Sequence, residues 1–226
     1  MIGAGLTACS FFSHRAEFSQ LEVKQDSEQS NSNPLESVIK VYRDSLNEEM
    51  SKIIAENEVL LIREKPCSAL HNWVADAVHK AATDRMDLDA PAMTLLNHGG
   101  IRSSVEKGQV SIGDMFELMP FDNTLTYLKL PSSYRDSVFL YIKATGGEPI
   151  SNAQIENNSL EISGLKNQSH FWLITNDYLA NGGDNMRFAL GIMDKIQSEK
   201  LIRDIYIEAA EKQGVLKIDS VCRVNL

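Results

Sequence analysis

Basic residues are scarce in this 226-residue chain: 22 Lys and Arg stand against 31 Asp and Glu, a formal net charge of −9. Nucleic acid is thereby excluded as the main partner, because its phosphates are bound by clustered Lys and Arg. Cysteine is scarcer still. Cys9, Cys67 and Cys222 form no Cys-x-x-Cys pair, which excludes a zinc knuckle and a disulfide framework. A Cys67–Cys222 bridge is open in an oxidising compartment, but so scattered a set reads first as unpaired core thiols. No apolar run reaches the roughly 18 residues that would span a bilayer.

Metal and nucleophile signatures are missing too. His14, His71, His79, His98 and His170 make no H-x-H, D-x-H or H-E-x-x-H grouping. His71 and His79 share an expected helix, but their spacing puts them about 12 Å apart along its axis, too far to share an ion. Asp76 and His79 can meet on one face, which suits a hydrogen bond rather than a site. Asn97-His98 is followed by Gly99, where the Asn-His-Glu of a metallophosphatase has its Glu. A G-x-S-x-G elbow, a P-loop and a G-x-G-x-x-G turn are all absent. The chain shows no complete catalytic apparatus, and no catalytic residue is assigned.

What is present begins with a core: 43% hydrophobic residues suit one globular domain. Ahead of it, "MIGAGLTACSFF" contains Leu6-Thr7-Ala8-Cys9, which resembles a bacterial lipobox and implies lipidation of Cys9. Secretory signals run to about 15–30 residues, so on this reading the start of translation lies upstream. Residues 20–33 are polar and suit a flexible tether. The expected organisation is an anchor and tether over 1–33 and a folded domain over 34–226. The lipobox places the domain on the periplasmic side, anchored to the outer membrane of a Gram-negative bacterium.

Within the domain, Val38, Tyr42, Leu46, Met50, Ile53 and Ile54 recur at helical spacing, which predicts an amphipathic helix over 35–56. Residues 58–64 read as a strand. Ser68 caps a helix carrying Leu70, Trp73, Val74, Ala77, Val78 and Ala81. Residues 92–97 read as a buried strand, 112–118 as helical turns stopped by Pro120, 124–130 as a strand and 132–143 as a helix. Short strands follow in "AQIEN", "SLEISG" and "HFWLIT", then a helix over 199–213 and a last strand in "VCRVNL". The class is α/β or α+β: a single domain with a mixed sheet and flanking helices.

Two apolar runs end in Asn and paired glycines, "TLLNHGGIR" and "NDYLANGGDN". A glycine turn after a buried strand exposes backbone N–H groups and makes an anion cradle. Arg102 can fork two hydrogen bonds onto a phosphate or carboxylate. Asp184 can accept a pair of hydroxyl donors such as a ribose diol. Phe121 and Tyr178 fall in loops just beyond apolar runs, where a ring is often exposed. Taken singly, each feature is better served by a plain turn, a surface ion pair or a core ring.

Taken in order, they resemble a known family. "NHGGIRSSVEKGQVSIGDMFELMPFDNTL" resembles the 5′-nucleotidase C-terminal domain, with its Asn-x-Gly-Gly-Ile-Arg and later Pro-Phe-x-Asn-Thr. "NDYLANGGDN" is similar to the same family's Phe/Tyr-Leu-Ala-x-Gly-Gly-Asp. The weaker matches are "ALHNWVADA", "IRDIYIEAA" and "CRV". The resemblance implies the corresponding fold and a nucleotide- or nucleoside-binding role. Phe121 and Tyr178 would sandwich the base, with Asn123 beside them. Asn97 and Arg102 would hold the phosphate–ribose side, Gly99 and Gly100 would allow close approach, and Asp184 after Gly182-Gly183 would take the ribose hydroxyls.

Three departures from the family pattern stand out. Pro66-Cys67 falls where the family has Arg-Glu, with Arg63 on an expected strand too early to replace it. His98 replaces a small residue, and His71 replaces a Gly. In the family a metallophosphatase domain carries two divalent metal ions and cleaves the phosphate. Only 33 residues precede this core, so that domain is expected on a separate protein, which makes this chain half of a split 5′-nucleotidase. The alternative is a nucleotide-binding lipoprotein without hydrolytic role.

Overall fold

The computed structural model describes residues 34–192 and 194–226. Cys9 and the polar stretch up to residue 33 lie outside the described residues. The chain opens with α1 (Pro34–Met50) and continues through β1 (Ile53–Asn57), α2 (Ala69–Arg85), β2 (Ala92–Leu95), β3 (Gly108–Ser111), α3 (Ile112–Leu118) and β4 (Thr124–Pro131). Then come α4 (Arg135–Ala144), β5 (Ile150–Ser151), β6 (Ala153–Glu156), β7 (Ser159–Ile162), β8 (His170–Asn176), α5 (Asp177–Ala180), β9 (Lys195–Leu201) and α6 (Ile202–Gln213). Residues 41–226 make one compact unit.

Its centre is a five-stranded mixed sheet in the order β5-β2-β8-β4-β9, with β2 and β8 parallel and the other pairings antiparallel. Side chains alternate across a strand, and here both faces are covered. Leu125, Tyr127, Trp172 and Ile174 point to one face, where α2, α3 and α6 supply Leu70, Trp73, Val74, Met115, Ile205 and Tyr206. Met93, Leu95, Leu128, Leu130, Phe171 and Leu173 point to the other, against α4 and the β6–β7 hairpin. The continuous apolar runs at 92–96 and 171–174 are what a strand buried on both sides requires. The mixed sheet with flanking helices is therefore as expected, and Ser68 does cap α2, accepting the His71 N–H.

Several elements differ from expectation. The first helix stops at Met50, and Ile53 and Ile54 belong to β1, paired antiparallel with β3. The apolar stripe of α1 is open to solvent, with Val38 60% and Tyr42 79% exposed, so helical spacing there does not report core contact. Residues 58–64 make a single bridge, Leu61 to Val105, rather than a strand. "VCRVNL" likewise contributes one bridge, Val224 to Ile155. β9 escapes a pattern search because KIQSEKL is a largely polar edge strand without alternation, as edges often are.

The cysteines also depart from the first reading. Cys67 and Cys222 are bonded, with Cα atoms 5.5 Å apart and a sequence separation of 155. The cause lies in how the C-terminal segment docks on α2. Arg223 makes two bonds to the Asp76 carboxylate, at 2.6 and 2.8 Å, and a third to Asp219 at 2.6 Å. The Asn72 amide donates to the carbonyls of Asp219 and Val221. These contacts bring Cys222 against the loop that leads into α2.

Closing so long a loop restricts the unfolded chain, and loss of a native bridge typically costs about 2–5 kcal/mol. Cys67→Ser should lower the unfolding free energy from denaturant titration by that margin, and reductant should shift the wild type to match. Coincident unfolding curves for oxidised wild type, reduced wild type and Cys67→Ser would contradict it.

Candidate functional site

Parallel pairing of β2 with β8, in the register Ala92–Trp172, Met93–Leu173 and Thr94–Ile174, brings their carboxyl ends to one edge of the sheet. Ligand sites in sheets with parallel strands form at such an edge. The antiparallel β4 starts there, with Leu125 opposite Asn176. Three segments distant in sequence therefore meet: 97–102 after β2, 121–123 before β4 and 177–184 after β8. Asn97, Gly99, Gly100, Arg102, Phe121, Asn123, Tyr178 and Asp184 line one cavity of about 390 Å³. Phe121, Asn123 and Tyr178 also border an adjoining depression with Gly182 and Gly183, of about 620 Å³. Every sequence-predicted binding residue within the described chain lies on one of these two surfaces.

The first glycine pair leaves few backbone donors for an anion. Residues His98–Gly100 form a single 3-10 turn in which most N–H groups are already bonded. The Gly100 N–H goes to the Asn97 carbonyl at 3.0 Å, that of Ile101 to His98 at 3.1 Å and that of Arg102 to Leu118 at 2.9 Å. The His98 N–H goes to the buried Glu148 carboxylate, which also accepts from Lys65 Nζ at 3.1 Å. Burial pushes the Glu148 carboxyl up, and the bonds from His98 and Lys65 oppose it. Close approach is made at Gly100 instead, where a Cβ would sit 3.0 Å from the Asn97 side-chain oxygen.

Positive charge near this turn comes from side chains. Arg63 is not on a strand, and its guanidinium donates to the carbonyls of Ile101 and His98. Arg102 donates to the Gly99 carbonyl at 3.1 Å, with its guanidinium carbon 5.8 Å from the Phe121 ring centre. Behind the turn, His71 Nε2 and His98 Nδ1 share a hydrogen at 2.8 Å. Burial, with the neighbouring His98, Lys65 and Arg63, lowers the His71 pKa to about 3. Burial together with Arg63 and Lys65 lowers that of His98 to about 4.

The second glycine pair follows a relay of amides. Asn176 caps α5, its side-chain oxygen accepting the Leu179 N–H at 2.8 Å, while its amide donates to Asn97 at 3.0 Å. The Asn97 amide donates in turn to Asp184 Oδ2 at 2.9 Å, and the Tyr178 hydroxyl donates to Asp184 Oδ1 at 2.8 Å. That last bond pushes the Tyr178 phenol pKa up. Tyr178 itself lies in the one-turn α5 rather than a loop. Gly182 takes φ 85°, and a Cβ on Gly183 would lie 2.5 Å from the Tyr178 ring. One face of that ring is therefore packed on backbone.

Phe121, 42% exposed, and Tyr178, 46% exposed, are the large aromatic surfaces of the site. The loop carrying Phe121 is held by a residue that sequence reasoning did not single out. Arg203, buried in the first turn of α6, donates to the carbonyls of Met119 and Phe121 and to Asp122 Oδ1 at 2.7 Å, and stacks 4.1 Å over Phe116. Its one sequence signal was an arginine inside an otherwise apolar helix face. Glu148 had no signal beyond a lone acid after Gly146-Gly147.

Two outcomes follow from these contacts. Arg203→Met strips donors from buried carbonyls, so it should cost about 1–3 kcal/mol and open the 119–123 loop to chymotrypsin at Phe121. Unchanged stability with no new cleavage would contradict it. His71 has a folded pKa below its unfolded one, so as pH falls below about 6.5 the unfolded chain takes up a proton that the folded chain refuses. Stability contributed by the neutral ring is thus whole above that pH and should decline by about 2 kcal/mol by pH 5. The decline should shrink in His71→Gln, as read by urea unfolding across pH.

Comparison with known proteins agrees with this arrangement. Residues 51–131 match the family described as 5′-nucleotidase, C-terminal domain. An apyrase from Tabanus yao is 24% identical over 230 residues, covering 83% of this chain and 40% of that protein. The 5′-nucleotidase precursor of Thermus thermophilus superposes with a TM-score of 0.67 at 20% identity, over 84% of this chain and 42% of the other. The NAD nucleotidase of Haemophilus influenzae gives 0.60 at 15% identity, over 84% and 41%. The chain thus spans about two-fifths of the length of these relatives. The family match runs over β1 to β4, and the fold shared with these nucleotidases extends over most of the chain.

Proposed function

We propose that this chain is the nucleotide-recognition half of a 5′-nucleotidase-type phosphoester hydrolase, completed by a metallophosphatase on a separate subunit. The observation that carries the reading is the cavity bounded by Phe121, Tyr178, Arg102 and Asp184. It offers two aromatic surfaces, a cationic fork and an acidic acceptor, the complement of base, phosphate and ribose. Phe121 and Tyr178 take the base between them, as stacking accepts any base because every base has a π-face. Arg102 takes the phosphate side through the guanidinium nitrogens not committed to Gly99. Asp184 takes the ribose hydroxyls.

Among the described residues, no group of three or more His, Cys, Asp or Glu is placed to hold a metal ion. The residues of this domain thus do not fit the two-metal centre that such a hydrolase uses, and the proposed partner carries it. The role of this chain is to bind and orient the nucleotide so that its phosphate faces that partner.

We further infer an extracytoplasmic location with a lipid anchor at Cys9, on the periplasmic side of an outer membrane. The Cys67–Cys222 bridge supports an oxidising compartment, and among the described residues no helix is long and apolar enough to cross a membrane. Cys9→Ser should move the protein from the membrane fraction to the soluble one. Retention of the variant on membranes would count against the anchor.

Recognition is tested by calorimetric titration of AMP and adenosine. Removing one stacking surface costs roughly 1–3 kcal/mol per base, so Phe121→Ala should weaken both ligands about ten- to a hundred-fold. Arg102→Ala should weaken AMP and spare adenosine. Addition of a metallophosphatase subunit should yield phosphate from AMP that neither protein releases alone. Equal affinities across wild type, Phe121→Ala and Arg102→Ala would reject the nucleotide reading.

A further inference from the structure

Resting on the nucleotide reading, we propose that the Tyr178 hydroxyl is a specificity-determining positioning group, which with the Asn97 amide clamps the Asp184 carboxylate to select ribonucleosides over their 2′- and 3′-deoxy counterparts. A ring at position 178 provides a stacking surface without any hydroxyl. Here the hydroxyl is spent on Asp184 Oδ1 at 2.8 Å, and the Asp184 N–H donates back to the same hydroxyl at 3.2 Å. The other carboxylate oxygen is held by Asn97 at 2.9 Å. An ionised carboxylate has about four acceptor positions. One donor on each oxygen leaves each oxygen a position free, and both are fixed in space before any ligand arrives.

Both clamping donors are themselves held. Asn97 accepts from the buried Asn176, which caps α5. The Tyr178 ring rests on Gly183, where a Cβ would lie 2.5 Å away, so only glycine lets the hydroxyl reach its partner. Asp184 adopts φ 47°, a left-handed conformation uncommon for residues with a side chain. A disfavoured backbone is thus retained where it aims a carboxylate.

The complement of this clamp is a pair of adjacent donors. A carboxylate repels phosphate and has nothing to offer a base acceptor, whereas a vicinal diol brings one O–H to each oxygen. A nucleoside lacking either hydroxyl forfeits one hydrogen bond to a charged group. Such a bond contributes about 1.5–3 kcal/mol, or roughly 10- to 150-fold in affinity. Without the Tyr178 hydroxyl the carboxylate is tethered through one oxygen only, and its second acceptor position is no longer fixed.

The test is calorimetric titration of adenosine, 2′-deoxyadenosine and 3′-deoxyadenosine into the full chain, its Tyr178→Phe variant and its Phe121→Ala variant. Wild type should prefer adenosine by about tenfold or more over either deoxynucleoside. In Tyr178→Phe the preference should fall to about threefold or less. Phe121→Ala should weaken all three ligands together and keep the ratio, as any merely structural loss does. Wild-type binding without discrimination, or an undiminished ratio in Tyr178→Phe, overturns this inference while leaving nucleotide recognition standing. Failure of wild type to bind any of the three overturns both.

Discussion

The parallel pairing of β2 with β8 is the constraint on which the rest of the molecule depends. Two parallel neighbours deliver their carboxyl ends to the same sheet edge, so both glycine turns must meet there. The antiparallel β4 then starts at that edge and places Phe121 just ahead of it. β9 ends opposite Thr124 and feeds α6, which sets Arg203 under the Phe121 loop. A one-residue slip would exchange the inward faces of a strand. With helices on one side and α4 and a hairpin on the other, each strand carries a different apolar set to each face. Both cores therefore enforce the register, and the register lets the Asn176 amide donate its hydrogen bond to Asn97.

Much of this was legible from sequence because it is periodic or because it is rare. The runs at 92–96 and 171–174, the Ser68 cap and the α2 stripe obey simple packing rules. The glycine pairs, with Arg102 and Asp184 after them, stand out because such clusters have few structural uses. What escaped detection depends on partners far away in sequence. β1 and β3 make sense only as a pair, since neither alternates well alone. Cys67 meets Cys222 in a tail that Arg223 docks on Asp76. Arg203 and Glu148 satisfy backbone groups of distant loops, a role with no local pattern.

The exposed stripe of α1 teaches the opposite lesson. Its helical spacing is clear, and the helix forms, yet Tyr42 and Leu46 face solvent. Periodicity specifies which side of a helix is apolar and does not specify what covers it. Likewise paired glycines specify close approach, and only tertiary contacts decide what approaches. In the first pair it is the Asn97 side chain, and in the second the Tyr178 ring. Most of the donors that a glycine turn was expected to offer a ligand are used instead to close the turn and to meet Glu148. The groups this edge leaves exposed are mainly side chains, which differ from one another in reach and charge.

The oxidised C-terminal segment and the site turn share a single loop. Cys67 fixes that loop to the tail, and Lys65 within it meets Glu148 and the Thr145 carbonyl. Glu148 holds the His98 N–H, while Arg63, from the same loop, holds the carbonyls of His98 and Ile101. Gly147 lets the loop pass close, since a Cβ there would lie 2.5 Å from the Pro66 carbonyl oxygen. The 3-10 turn is thus gripped at its donor end by a carboxylate and at its acceptor end by a guanidinium, both braced by one covalently tethered segment. A short turn rich in glycine has little stiffness of its own. Its fixed geometry is borrowed from the 63–67 loop, so the disulfide acts on the site through the residues on either side of Pro66.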